Sequence, residues 1–258
     1  MKKWMAVCAL LLISSFIPRL VWAQAVGGYA AGCQFDSQAL PLQGPGFKVI
    51  RASRERFYGQ PALINYLQVL GKKVQQAQLP SMLIADIAME RGGPFPYGHR
   101  SHQTGLDADI WLRSPPVPAH QLEDIPEIDM VNHSLYTLTR HFKDQQRQLI
   151  ALAATDPRVS RIFVHPLIKQ AMCQAYPHAP WLPRLRPWYG HSGHFHVRLH
   201  CPKEDIHCVP QAPAPPGTGC GSELTSWLKD KTGALSTTGS RTPYRPELPL
   251  RCQSWVKQ

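Results

Sequence analysis

The sequence has no Cys-x-x-Cys pair, no Gly-x-Ser-x-Gly element, no internal repeat and, beyond its first two dozen residues, no run of eighteen apolar residues. The first absence argues against a structural zinc ribbon, and the second against the nucleophile elbow of serine hydrolases. The third argues against a solenoid or propeller, and the fourth against a helical membrane span. Acidic residues are also scarce, 17 Asp and Glu against 28 Lys and Arg, which gives a formal charge of +11. Such a balance suits an anionic partner.

What is present begins with an export signal. Lys2 and Lys3 precede an apolar run from Met5 to Phe16 broken only by Ser14 and Ser15, and Val21-Trp22-Ala23 supplies the small residue for cleavage after Ala23. Loss of Lys2, Lys3 and Arg19 lowers the charge from +11 to +8, and the 235 residues left are enough for one substantial core. Export makes nucleic acid a poor partner. Cys8 leaves with the signal, and Cys33, Cys173, Cys201, Cys208, Cys220 and Cys252 remain, an even set that reads as three disulfides in an oxidising compartment. Spacing favours only Cys201 with Cys208 as a local loop.

Periodicity places the elements. Residues 54–78 read as a helix, with Pro61 suited to a first turn and Leu63, Leu67, Leu70 and Val74 at helical spacing. Residues 82–89 read as a buried strand, and Gly92-Gly93-Pro94 with Pro96 as a loop running to His99. Residues 106–112 alternate, with Asp107, Asp109 and Trp111 on one face, and 194–200 alternate with His194, His196 and Arg198 on one face. Helices over 144–155 and 166–175 and a strand over 161–165 lie between them. Beyond Pro202 the chain is rich in Pro, Gly, Ser and Thr and carries three cysteines, so residues 202–258 are expected as an extension stapled onto a domain of residues 24–201.

The chemistry lies in two segments, Ser101-His102-Gln103-Thr104-Gly105-Leu106-Asp107-Ala108-Asp109 and His191-Ser192-Gly193-His194-Phe195-His196. Thr104-Gly105 supplies a turn that can bring His102 and Asp109 to one point. Two imidazoles and a carboxylate are three zinc ligands with a position left for water, so one histidine of the 194–196 strand completes the set. The other is then free to move protons, a role its near-neutral pKa suits.

The stretches Ser101 to Trp111 and His191 to Pro202 resemble the two signature segments of the penicillin-insensitive murein endopeptidases, part of a wider zinc peptidase group with the lysostaphin-type and D-alanyl-D-alanine peptidases and the hedgehog signalling domain. Gly32-Cys33, Arg161 to Val164, Ile168 to Gln170, Arg186-Pro187-Trp188 and Gly219-Cys220-Gly221 also resemble that family, so the likeness spans residues 30–255. It implies one catalytic zinc held by His102, Asp109 and His196, with His194 as base and His99 either as a further metal contact or as a substrate or hydrogen-bonding contact beside it. It places His191 at the edge of the site, for substrate contact or hydrogen bonding around the ligands. Arg186, Arg198, Trp188 and Trp111 are, by residue type, candidates to hold carboxylates or sugar faces, although buried packing is the simpler expectation for either Trp. The resemblance also implies pairings Cys33–Cys252, Cys173–Cys220 and Cys201–Cys208, and an α+β fold whose central, mainly antiparallel sheet is flanked by helices.

The implied activity is hydrolysis of D-alanyl–meso-diaminopimelyl cross-links of peptidoglycan in the periplasm, insensitive to penicillin. The alternatives are a D-alanyl-D-alanine carboxypeptidase or dipeptidase of the same metal class, and a non-enzymatic zinc-containing module that binds murein. Some family members carry a second metal on an Asp-x-x-His pair. The corresponding stretch here, Asp129-Met-Val-Asn-His133, does not reproduce it, so a second ion is not expected. Oligomeric state, a dimer included, is left open by the sequence.

Overall fold

The computed structural model describes residues 23–114, 117–230 and 243–256; the proposed signal, apart from Ala23, lies outside them. The chain opens with β1 (Gln24–Gly28) and β2 (Ala31–Phe35), paired as a hairpin, followed by β3 (Gln38–Ala39), β4 (Gln43–Gly44), β5 (Phe47–Val49) and β6 (Tyr58–Gly59). Helix α1 (Pro61–Gln76), β7 (Met82–Ile84) and β8 (Asp107–Trp111) come next, then β9 (Val131–Asn132) and β10 (Thr137–Leu138). The remaining elements are α2 (Asp144–Ala154), β11 (Val159–Val164), α3 (Pro166–Ala175), β12 (Leu185–Pro187), β13 (His194–Leu199), α4 (Ser222–Lys229) and α5 (Leu250–Trp255).

Seven strands form one sheet in the order β12-β11-β13-β8-β7-β5-β4. Its pairs are antiparallel except β11 with β12 and β5 with β7, so the fold is the expected α+β arrangement with two parallel joins. Alternation gives the central strands two different faces. Ala108, Ile110, Phe195, Val197 and Leu199 share one core with Leu63, Leu67 and Leu70 of α1, Leu149 and Ile150 of α2, and Ile168 and Met172 of α3. Each such fully buried large apolar side chain contributes about 1.5–3 kcal/mol. The Tyr66 hydroxyl donates to the Ala153 carbonyl at 3.0 Å and ties α1 to α2. The other sheet face therefore carries the polar side chains.

Two expected elements are shorter than their patterns suggest. The first helix starts at Pro61, not at residue 54. Residues 52–54 instead form a 3-10 turn ended by Glu55 at φ 53, and Tyr58–Gly59 pairs with β3, so proline is at the first turn because the helix begins there. The strand beginning at Met82 stops at Ile84 rather than running to residue 89. Asp86, 4% exposed, keeps its carbonyl on the Asp109 amide at 3.0 Å but turns its side chain to receive Arg56 Nη1 at 2.8 Å, and the Ile87 amide donates to the Arg56 carbonyl instead of to a sheet strand.

The expected disulfides are all formed: Cys33–Cys252, Cys173–Cys220 and Cys201–Cys208. The first fixes α5 on β2, where Phe35 and Trp255 stack at 4.7 Å; the second fixes the approach to α4 on α3. Because the first bond closes a loop of sequence separation 219, removing it by Cys33→Ser with Cys252→Ser is expected to cost roughly 3–5 kcal/mol in denaturant unfolding. No helix among the described residues is long and apolar enough to cross a membrane.

Candidate metal centre

β13 and β8 run antiparallel with His194 opposite Trp111, His196 opposite Asp109 and Arg198 opposite Asp107. This register puts the acids and histidines expected on each strand's polar face beside one another. The loop before β8 brings in the rest. His102 adopts a left-handed φ of 69 and its amide donates to Asp107 Oδ2 at 3.1 Å. Gly105 follows at φ 68, where an added Cβ would meet Gln34 Oε1 at 1.8 Å. The turn at Thr104-Gly105 thus requires its glycine, and it delivers His102 to Asp109. Gln103 anchors the loop to the β1–β2 hairpin, accepting from the Gly32 amide and donating to the Ala30 carbonyl at 2.8 Å.

Two overlapping groups of potential metal donors result, His102 with Asp109 and His196, and His99 with Asp109 and His194. The first is fully buried, its members 0%, 1% and 2% exposed. His102 Nδ1 lies 2.7 Å from the Ile87 carbonyl, which can only accept, so the proton sits on Nδ1 and the lone pair on Nε2. Nε2 of His102, Nε2 of His194 and Oδ1 of Asp109 are buried without a hydrogen-bond partner. His196 turns Nδ1 to Asp109 Oδ1 at 3.1 Å and Nε2 to Asp107 Oδ1 at 3.0 Å. Orphaned donors of this kind facing a carboxylate fit a divalent cation with nitrogen and oxygen ligands.

The second group lies toward solvent. His99 Nε2 is 3.3 Å from Asp109 Oδ2 with its side chain 32% exposed, and His194 Nε2 is 3.8 Å from the same oxygen. Burial disfavours protonated His194, but the Asp109 charge and a hydrogen bond from Nδ1 to Glu127 Oε1 at 2.7 Å outweigh it and raise its pKa to about 9. Burial likewise opposes the Asp109 charge, yet His102, His99 and His194 hold its carboxyl well below the usual range. His191 sits at the edge, 5.1 Å from the His194 ring between centroids, its Nδ1 near the Tyr189 carbonyl, and burial pushes its pKa well down.

Arg198 clamps Asp107 through Nε at 2.7 Å and Nη2 at 3.1 Å, and its guanidinium lies 4.2 Å over the Tyr29 ring. It is 7% exposed, so it orders the carboxylate behind His196 instead of facing solvent. Trp111 is buried under Arg51 as expected, whereas Trp188 is 53% exposed beside Trp227, contrary to a packing role. Asp129 and His133 meet at 3.2 Å but join neither donor group.

Asp107 and Glu127 contact the histidines of the site, and neither stands out in the sequence as a site residue. Alternation already placed Asp107 on the Asp109 face, but its role as the hub for His102, His196 and Arg198 needs the strand register. Glu127 has no periodic signal.

The family model for penicillin-insensitive murein endopeptidases matches residues 25–257. The penicillin-insensitive murein endopeptidase of Haemophilus influenzae is 44% identical, with 90% of this chain and 82% of the relative aligned. Those of Yersinia enterocolitica and Klebsiella pneumoniae are 40% and 41% identical, covering 98% and 92% of this chain and 97% and 87% of the relatives. This chain belongs to the penicillin-insensitive murein endopeptidase family.

Proposed function

We propose that the protein is a zinc-dependent periplasmic endopeptidase that hydrolyses D-alanyl–meso-diaminopimelyl cross-links of peptidoglycan, exported by a signal cleaved after Ala23. The supporting observation is the buried trio of His102, Asp109 and His196 with His194 alongside. That trio would hold the ion, with His99 as an additional contact at the rim. Bound zinc supplies Lewis acidity to the scissile carbonyl and to the attacking water. His194 Nε2 takes the proton of that water and hands one to the leaving amine.

Asp107 and Arg198 orient His196 from behind. His191 borders the reacting centre, and the exposed ring of Trp188 offers a flat apolar face to a stem peptide or sugar. The basic chain suits the anionic polymer. Serine chemistry is not used, which accounts for indifference to a serine-acylating drug. A purely binding zinc module has no use for His194 with an unpaired, buried Nε2 next to the donors, which favours the enzyme.

Digestion of purified cross-linked sacculi tests this reading. Metal-loaded protein is expected to convert dimeric muropeptides to monomers, to lose this activity with a chelator, to regain it with zinc, and to ignore penicillin. Unchanged dimers, or cleavage indifferent to chelation, would reject it. Release of free D-alanine in place of monomers would favour the carboxypeptidase alternative.

A further inference from the structure

We infer that Glu127 is the positioning residue of this site, fixing the tautomer and ring plane of His194 so that Nε2 presents its lone pair to the reacting centre. The inference rests on the role proposed for His194. An ionised carboxylate only accepts, so with Glu127 Oε1 2.7 Å from Nδ1 the ring proton belongs on Nδ1. Nε2 is left buried, without a hydrogen-bond partner, on the Asp109 side. Without that acceptor, a neutral imidazole populates both tautomers, and the one with Nε2–H cannot take a proton from water.

Gly193 points to the same contact independently. A Cβ there would stand 2.3 Å from Glu127 Cγ, 2.4 Å from its Oε1 and 2.5 Å from its Cδ, the three nearest atoms all belonging to that one residue. Its φ lies outside the left-handed region, so backbone conformation does not demand glycine; the approach of Glu127 does. Gly193 cannot swing aside, because its carbonyl accepts from the Leu112 amide at 2.8 Å. The Glu127 loop is equally held. The Ile125 carbonyl accepts from Arg51 at 3.1 Å, the Pro126 carbonyl from Arg113 at 3.0 Å, and the Met130 amide donates to the Ser192 carbonyl at 2.9 Å.

The test uses the full-length zinc-loaded protein with soluble dimeric muropeptide. Glu127→Ala is expected to lower kcat roughly 10- to 100-fold with KM within about twofold and metal content unchanged. Glu127→Gln, whose amide oxygen can accept from Nδ1–H, should recover most of that loss. Gly193→Ala should show a similar deficit, and combining it with Glu127→Ala should add little, because the crowded partner is then gone.

Nitrogen NMR supplies a readout separate from turnover. The His194 Nδ1–H proton should resonate far downfield in the wild type, vanish in Glu127→Ala and return in Glu127→Gln. Unchanged kcat and an unchanged Nδ1–H signal in Glu127→Ala would overturn the inference, as would kcat falling only in step with metal content. Wild-type protein that leaves the dimer uncut would instead overturn the proposed function, and the NMR comparison would still decide whether Glu127 sets the ring.

Discussion

Asp109→Ala is expected to yield a protein that retains no zinc and cleaves cross-linked sacculi no faster than metal-stripped wild type. Asp109 belongs to both donor groups and is the only carboxylate in either, so its loss dismantles both together. It is also the charge that the surrounding imidazoles face, with His99, His102 and His196 at 3.3, 3.4 and 3.1 Å. Elemental analysis after dialysis should show metal per chain falling from about one to background. His102→Ala should behave the same way, whereas His99→Ala, at the exposed rim, should keep its metal. The reverse pattern would move the ion to the outer group.

The same substitution has a signature in metal-free protein. The carboxyl of Asp109 is held far below its ordinary value by its histidines despite burial, so it adds stability that is fully present above about pH 4 and is lost as the pH falls further. Denaturant unfolding of apo wild type should therefore weaken on that acid side more than unfolding of apo Asp109→Ala.

His194→Ala is expected to separate binding from chemistry. The side chain lies outside the buried trio, so zinc should be retained, while loss of a general base lowers kcat by about 100- to 10,000-fold. Burial opposes the proton on His194, but Asp109 and Glu127 raise its pKa to about 9; a dication held at Asp109 would oppose that proton and favour a lone pair on Nε2. The acidic limb of the kcat/KM profile should accordingly disappear in the variant. Retained zinc with undiminished cleavage would remove His194 from the mechanism.

The polar faces of the two central strands were legible because alternation alone sorts Asp107 and Asp109 from Ala108 and Ile110, and His194 and His196 from Phe195 and Val197. The register that sets His196 against Asp109 was not, since pairing depends on where two distant segments dock. The parallel joins β11–β12 and β5–β7 were hidden for the same reason. Within 82–89, the run Met-Leu-Ile-Ala-Asp-Ile-Ala-Met reads as one strand unless Asp86 is given weight as a buried partner of Arg56. Glu127 lies among Glu123, Asp124 and Asp129 in irregular chain, and only folding distinguishes it from them.

The seam that joins α5 to β2 also supports the loop of the metal centre. The loop leading to His99 and His102 rests on the last residues: the Gln34 amide holds the Arg91 carbonyl, Arg91 donates to the Trp255 carbonyl at 3.3 Å, and Val256 closes over Gly93. Cys33–Cys252 holds α5 against β2 and so keeps this support in place. Reduction of that single bond is therefore expected to loosen the loop that carries His99 and His102 along with α5.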